Sequence, residues 1–552
     1  MKTKPWLLIF LFHLKISAAL FYVDDVAVNG TGTFNHPFNN FSSALNVCMP
    51  GDTIIVMPGN YSIGGEISTV RSGLPGQPIT LTAYDPINRP YVQRIGKNLK
   101  IQHSYLIVDG FIFDGQFGAQ DVIDIRGGSH RVTIKNCEVM NGLKDGIDLH
   151  ASDFVTIENC RIHHMLAGSY SNQQDAHGIV ATGEKYLTIR GCEIYYVSGD
   201  CFQTDPNRGL PLWDEVLIEN CKLWTGPLPA DAAGWHAGEI PGENAIDTKI
   251  NPDSVSTGYR PKLTLKNVEA YGFVPGYISN RAAFNIKEKV DCFMDKVKVY
   301  NNEIAFRIRG DTGKGSAYLT LTNIIAYENL KTFRTEDDVE RLHIYNCTLT
   351  QSNGGVYFQN VSGGYDPSGF DLRNCLFMGS KPGDASHFSN LSADSGYFVN
   401  AANHDYHLSP NSPAIDAGVD IAEVVDDFEG NPRWARSYDV GAYESIPYTP
   451  VVQLASSVPR EIFLYQNYPN PFNFSTKIRY ESLQPSDVVC AIYDILGRQV
   501  VILFKGFQLS GQYEFVWYGK NKEGRPVNSG VYFCQLTVDG RPHQIKKMIL
   551  VR

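Results

Sequence analysis

Eight seven-residue segments place ionisable or polar side chains at their fourth and sixth positions, with Val180 the one exception. They are DVIDIRG (Asp121 to Gly127), DGIDLHA (Asp145 to Ala151), HGIVATG (His177 to Gly183), DCFQTDP (Asp200 to Pro206), NAIDTKI (Asn244 to Ile250), AAFNIKE (Ala282 to Glu288), IAFRIRG (Ile304 to Gly310) and KTFRTED (Lys331 to Asp337). Side chains alternate across a strand, so the third and fifth positions, such as Ile246 and Thr248, face a core while the fourth and sixth face solvent. The outward residues are Asp124 and Arg126, Asp148 and His150, Val180 and Thr182, Gln203 and Asp205, Asp247 and Lys249, Asn285 and Lys287, Arg307 and Arg309, then Arg334 and Glu336. Stacked about 4.8 Å apart, these segments make one strip that changes from acidic to basic.

Such a strip suits a chain of acidic sugars. β-Elimination on a uronic acid requires its carboxylate to be neutralised and a base to take the adjacent proton. A lysine held near other cations has a lowered pKa and can serve as that base, whereas arginine is better suited to binding and charge stabilisation. The expected base is therefore Lys249 or Lys287, with Arg307 and Arg309 holding the carboxylate or stabilising the enolate. Calcium, which takes several oxygen ligands, is expected to bridge enzyme and substrate carboxylates through Asp205, Glu243 and Asp247. Gln203 and Asn285 are expected substrate contacts. The long connection from Thr225 to Ile250 adds Trp235, His236, Glu239 and Glu243 beside the strip, with Trp235 as a platform for a sugar ring. The plain alternative for each outward charge is solubility and cross-coil pairing, at up to about 1 kcal/mol apiece. His150 and His177, near Asp148 and Asp175, permit an acid-base pair but also suit structural roles, and His163-His164 reads as structural.

The scaffold is legible in a second repeat: VTIKNCEV (Val132 to Val139), VTIENCRI (Val155 to Ile162), LTIRGCEI (Leu187 to Ile194), VLIENCKL (Val216 to Leu223), LTLKNVEA (Leu263 to Ala270), LTLTNIIA (Leu319 to Ala326), LHIYNCTL (Leu342 to Leu349) and FDLRNCLF (Phe370 to Phe377). Alternation marks each as a strand with one buried face, and recurrence at roughly 23 to 32 residues marks a stacked solenoid. Asn136, Asn159, Asn220, Asn267, Asn323, Asn346 and Asn374 take one place in it, as an amide ladder between coils. Of the eleven cysteines, Cys137, Cys160, Cys192, Cys221, Cys347 and Cys375 take another. That placement suggests a buried thiol ladder, with disulfides as the alternative in an exported chain; the lack of a C-x-x-C pair disfavours zinc.

With its asparagine and cysteine ladders, the chain resembles the pectate-lyase-like superfamily of right-handed parallel β-helices over roughly Gly51 to Glu444. Phe41 to Tyr61 looks like that superfamily's capping helix and first coil, and Pro78 to Val92 like the second. Tyr406 to Glu444 resembles the last coil of choice-of-anchor surface proteins, with closure as its role. The segments FLYQNYPNPFNFSTKIRY, YDILGRQV and the stretch from Ser529 to Arg552 resemble the type IX secretion C-terminal sorting domain, a small immunoglobulin-like β-sandwich. The resemblance implies recognition by the type IX machinery at a Gram-negative outer membrane. The expected domains are a signal peptide over 1–19, with its basic start, apolar run and Ala18-Ala19; an all-β helix over 20–444; a linker over 445–459; and the sorting domain over 460–552. The expected location is secreted or on the cell surface, as a monomer without a membrane span. At a formal net charge of -10 nothing favours nucleic acid. The lyase superfamily implies elimination on an acidic polysaccharide. Two alternatives remain open: a non-catalytic glycan-binding scaffold or adhesin, and a hydrolase resembling polygalacturonases with Asp148, Asp200 and Asp205 as acids.

Overall fold

The computed structural model describes residues 18–205, 212–250, 258–433, 438–445, 463–473, 475–482, 486–508, 511–522 and 525–551. The chain forms two compact units, Met1–Glu444 and Ser445–Arg552. The expected signal peptide and linker lie almost wholly outside the described residues. Among the described residues no helix is long and apolar enough to cross a membrane.

The first unit is a parallel β-helix with three faces. A 13-stranded parallel sheet runs from Leu20–Val23 through Val132–Lys135 to Phe370–Arg373 and forms the first face. The stack starts at Leu20, ahead of the capping helix. The second face stacks strands such as Glu138–Gly142 and Arg161–Met165, and the third stacks Ile147–His150, Ile179–Thr182, Phe202–Thr204, Asn244–Asp247, Ala282–Ile286 and Ile304–Arg309. Each VTIKNCEV-type unit is consequently two strands and a corner. The seven ladder asparagines have φ between 52° and 55°, a left-handed conformation that turns the chain and that asparagine tolerates better than most residues. Their amides link coils: Nδ2 of Asn267 donates to Asn220 Oδ1 at 2.7 Å and that of Asn323 to Asp295 Oδ1 at 2.8 Å. Gly191 takes the corner above Asn159 because its φ is 61° and a Cβ there would lie 2.3 Å from Asn159 Oδ1.

Inside, Phe284, Phe306, Phe333 and Phe358 stack in successive coils with centroids 5.4, 5.4 and 4.8 Å apart. All eleven cysteines are buried and free, so the thiol ladder, not a disulfide framework, is what forms. The helix Phe41–Val47, capped by the Asn40 side chain accepting from the Ser43 N–H, buries Phe41, Ala44 and Leu45 in the same core.

The Tyr406 to Glu444 segment does not add a coil to the stack. Among the described residues its strand Asp405–Leu408 pairs only with Phe398–Asn400, and the chain then runs along the asparagine corner. There Asp426, Asp439 and Val419 carbonyls accept from the amides of Asn323, Asn346 and Asn374 at 3.0, 3.1 and 2.7 Å. On this segment His407 sits 3.2 Å from Glu429 and 2.6 Å from Asp405, which hold its pKa up at about 9, with Glu429 the larger cause. A raised histidine stabilises fully below its unfolded pKa and loses that contribution as pH rises through about 9. His407→Gln is thus expected to lower the melting temperature at pH 6 and leave it unchanged at pH 10, as read by calorimetry.

The second unit has a three-stranded antiparallel sheet (Phe463–Leu464, Thr476–Ser482, Gly511–Trp517) and a four-stranded one (Gln499–Gln508, Ser486–Asp494, Gly530–Val538, Arg541–Leu550). Leu464, Ile478, Tyr480, Cys490, Trp517 and Leu536 belong to one buried core there, giving a small sandwich-like region.

Candidate active site on the third face

The parallel register brings the fourth positions into one unbroken row, but instead of facing open solvent as expected, Asp124, Asp148, Val180, Gln203, Asp247 and Asn285 are buried. Asp124 pairs with Asp148, Asp148 with Val180, Val180 with Gln203, Gln203 with Asp247, Asp247 with Asn285, Asn285 with Arg307 and Arg307 with Arg334. The centre of the row is Asp247. Lys287 Nζ lies 2.9 Å from its Oδ1, Lys249 Nζ 3.4 Å from its Oδ2, and Asn285 Nδ2 donates to Oδ1 at 2.8 Å. Lys249 Nζ also donates to Gln203 Oε1 at 2.6 Å. Two ammonium groups from adjacent coils thus share one carboxylate, with a carboxamide on each side.

The backbones behind these lysines are clamped from inside. Thr204 and Thr248 are fully buried, and their hydroxyls accept from the Lys249 and Lys287 N–H groups at 2.7 and 2.9 Å while donating to the same residues' carbonyls at 2.9 Å each. Trp213 Nε1 adds a bond to the Lys249 carbonyl at 2.8 Å. These inward threonines, in a column that otherwise includes Leu149, Ala181, Ile286 and Ile308, are a positioning signal present in the sequence.

Sequence reasoning also passed over how acidic this face is. Asp200 is fully buried, and burial, then Asp247, push its carboxyl up to about 8. Its Oδ1 accepts from the Asn244 backbone N–H at 3.1 Å and side chain at 2.8 Å. His177 Nδ1 accepts from the Asp200 N–H at 2.8 Å, and the His177 N–H donates to Asp145 Oδ1 at 2.9 Å. Burial raises Asp145 to about 6 and Glu243 to about 7, the latter helped by Asp200 and Asp175. Near neutral pH the face therefore holds both ionised and protonated carboxyls, the arrangement that separates acid from base roles.

Several expectations need correction. Lys249 does not have a lowered pKa: burial pulls it down, but Asp247, Asp200 and Asp175 more than offset that and raise it. Trp235 is 0% exposed, packed with Leu166 and Leu228, its indole N–H donating to Ala167 O at 3.3 Å, so it cannot carry a sugar ring. His236 is exposed and belongs to the network of its own loop, with Asp231 at 3.4 Å and Glu239 accepting its backbone N–H. Asp205, Glu243 and Asp247 do not gather: among the described residues no three His, Cys, Asp or Glu converge to hold a metal ion, and both oxygens of Asp247 face lysines. Arg307 and Arg309 do lie in the basic end of the row, but with Arg334 they converge on Glu336, Arg307 at 3.0 Å and Arg309 at 3.4 Å. His150 pairs with Asp148 at 3.1 Å, which raises its pKa.

The second face carries the other conspicuous outward column: Tyr195, Trp224, Tyr271, Tyr300 and Tyr327, stacked at 4.7, 5.7, 4.7 and 4.6 Å. Each ring face is covered by the next ring, so the column strengthens the solenoid and leaves no face for a sugar.

The row lies on an all-β, right-handed parallel β-helix. Residues 21–239 match the family described as Pel9A-like, right handed beta helix region. No curated protein matches the sequence. Solved structures similar to the chain include pectate lyase Pel9A, at 16% identity over 78% of this chain and 97% of that one with a TM-score of 0.46, and a rhamnogalacturonan lyase, at 15% over 69% and 90% with 0.49. An alginate lyase from Paenibacillus sp. str. FPU-7 is similar at 16% over 58% and 96%, with a TM-score of 0.39.

Proposed function

We propose that the chain is an exported lyase that cleaves an acidic, uronic-acid polysaccharide by β-elimination on the third face. The convergence of Lys249 and Lys287 on Asp247, at the junction between the acidic and basic halves of the row, carries this reading. One of the two lysines, once deprotonated, takes the proton from the carbon next to the substrate carboxylate. The electron pair left behind forms the new double bond as the neighbouring carbon–oxygen bond breaks. The departing oxygen takes a proton from a neutral acid, and half-buried Glu243 is a candidate on this face. Arg307 and Arg309, whose guanidinium groups outnumber the carboxylate between them, hold the negative end of the polymer, and Asn285 and Gln203 orient it. The N-terminal segment fits an export signal, and the C-terminal unit fits a type IX sorting domain. Both readings support a location outside the cell or on the surface of a Gram-negative bacterium.

The test is ultraviolet absorbance on pectic, alginate and glycosaminoglycan polymers, with calcium or with chelator. A rise on at least one polymer is expected, since only elimination makes a conjugated unsaturated sugar. New reducing ends without absorbance would favour the hydrolase reading, which the neutral carboxyls at Asp200 and Glu243 support. Binding with neither signal would make the face a glycan-binding scaffold.

A further inference from the structure

Arg281 immediately precedes the third-face strand Ala282–Ile286 and is 1% exposed. Its backbone N–H donates to Glu303 Oε2 at 3.2 Å and its Nη2 to the Ile240 carbonyl at 3.1 Å, but Nε and Nη1 have no hydrogen-bond partner in the protein. Burying a guanidinium with donors unspent costs several kcal/mol, so stability alone favours an apolar residue here. Burial also pulls its pKa below the ordinary arginine value, against the pull of Tyr170, Glu243 and Glu303.

The cover over this cation is thin. A Cβ on Gly276 would lie 2.9 Å from Arg281 Cζ and Nη1, so the guanidinium lies directly beneath the Gly276 backbone, and Gly276 itself is exposed. The next residue, Tyr277, is 60% exposed. Its ring lies 6.1 Å from that of Tyr170, which in turn packs edge-on against buried Trp235 at 6.5 Å. Trp235 therefore acts as the anchor for an aromatic pair whose outer member faces solvent. Four residues on from Arg281 in the same strand segment is Asn285, which bonds Asp247, so this aromatic pair and cation flank the lysine centre.

We propose that Tyr277 and Arg281 form a second saccharide subsite beside Asn285 and Lys287, in which Tyr277 carries the apolar face of a sugar ring. When the Gly276–Tyr277 segment shifts aside, the Arg281 guanidinium takes the carboxylate of that same uronic acid residue. An exposed aromatic next to a cation with free donors selects a ring that is apolar on one face and anionic at one edge. The inference rests on the reading of the third face as an acidic-polysaccharide site and adds which residues set its preference for charge.

The experiment is calorimetric binding of uronic oligosaccharides of graded length, and of the same oligosaccharides with their carboxyls reduced to alcohols, to the full chain. The variants are Arg281→Met, Arg281→Lys and Tyr277→Ala. For the longer acidic oligosaccharides Arg281→Met is expected to weaken binding about 10- to 100-fold, the value of a hydrogen bond to a charged group, and Arg281→Lys to weaken it less. Carboxyl-reduced ligands should bind Arg281→Met as they bind the parent protein. Tyr277→Ala, at an exposed position, keeps the test decisive should Arg281→Met not fold; it is expected to weaken acidic and reduced ligands alike. Unchanged acidic binding in Arg281→Met or Tyr277→Ala, with or without a lower melting temperature, overturns the subsite even if elimination is observed. Charge-selective weakening without turnover on any polymer upholds the subsite while overturning the lyase reading, and no binding of any uronic oligosaccharide overturns both.

Discussion

Replacing the base lysine of the third face by alanine is expected to slow product formation by about 100- to 10,000-fold, the usual worth of a positioned acid or base. Lys287→Ala and Lys249→Ala should not be equivalent, because one lysine takes the proton and the other holds Asp247. The base variant loses turnover with its KM nearly intact, whereas the other shifts KM and turnover together. Asp247 is buried, so losing either lysine leaves its carboxylate short of a partner, and both variants should also melt below the parent protein. The pH dependence follows from the charges. Lys249 is held protonated by Asp247, Asp200 and Asp175, and a lysine can accept a proton only after losing its own, so activity is expected to climb toward alkaline pH. Steady-state rates of the two variants from pH 6 to 10 check both points; equal, small losses in both would mean that neither is the base.

The largest stability loss is expected from Arg433→Met. Arg433 and Glu444 form an ion pair with side chains 0% and 6% exposed. The guanidinium also donates to Asn323 Oδ1 and the Gly441 carbonyl at 2.9 Å each, and to the Asp439 carbonyl at 3.2 Å. It therefore ties the flank segment to the asparagine corner. Removing one partner of a buried pair leaves the other charge uncompensated and costs about 3 to 5 kcal/mol. Glu444, which burial already raises to about 7, should escape part of that penalty by staying protonated. The deficit should therefore shrink as pH falls below about 7, and Arg433→Met with Glu444→Gln should recover some of it. Denaturant midpoints at pH 5 and pH 8 give the comparison; a loss independent of pH would show that packing, not the stranded carboxylate, dominates.

The solenoid was legible because its signals are local. An asparagine in a left-handed corner and a small buried thiol beside it recur in sequence, and each needs only its own few residues to be seen. Less visible are Asp291–Asp295, a first-face strand whose corner residue is Lys296, at φ 58°, and the first-face strands Leu20–Val23 and Leu106–Asp109, which lack the asparagine and cysteine signature. The outward row was legible for the same reason: alternation within each strand fixes its direction, and parallel stacking does the rest. What alternation cannot state is which neighbour an outward charge meets. Arg307 meeting Glu336 across 29 residues, Lys287 meeting Asp247 across 40 and Arg433 meeting Asn323 across 110 are contacts that no local pattern specifies. Trp235 was misjudged because a long polar loop suggests an exposed aromatic. The loop instead folds over a small core of its own with Leu166 and Leu228, leaving Tyr277, in a different loop, as the exposed ring. Lys249 was misjudged because nearby cations were counted and the buried carboxylates were not.

Water labelled with heavy oxygen distinguishes elimination of the glycosidic bond on the third face from its hydrolysis. A defined uronic oligosaccharide from a polymer the protein degrades is cleaved by the full chain in that water, and the fragments are weighed by mass spectrometry. Elimination predicts fragments whose masses sum to that of the substrate, one of them an unsaturated sugar, with no label gained at the point of cleavage. A labelled oxygen in every product pair, and no unsaturated end, would show that water attacks the bond and would contradict the account.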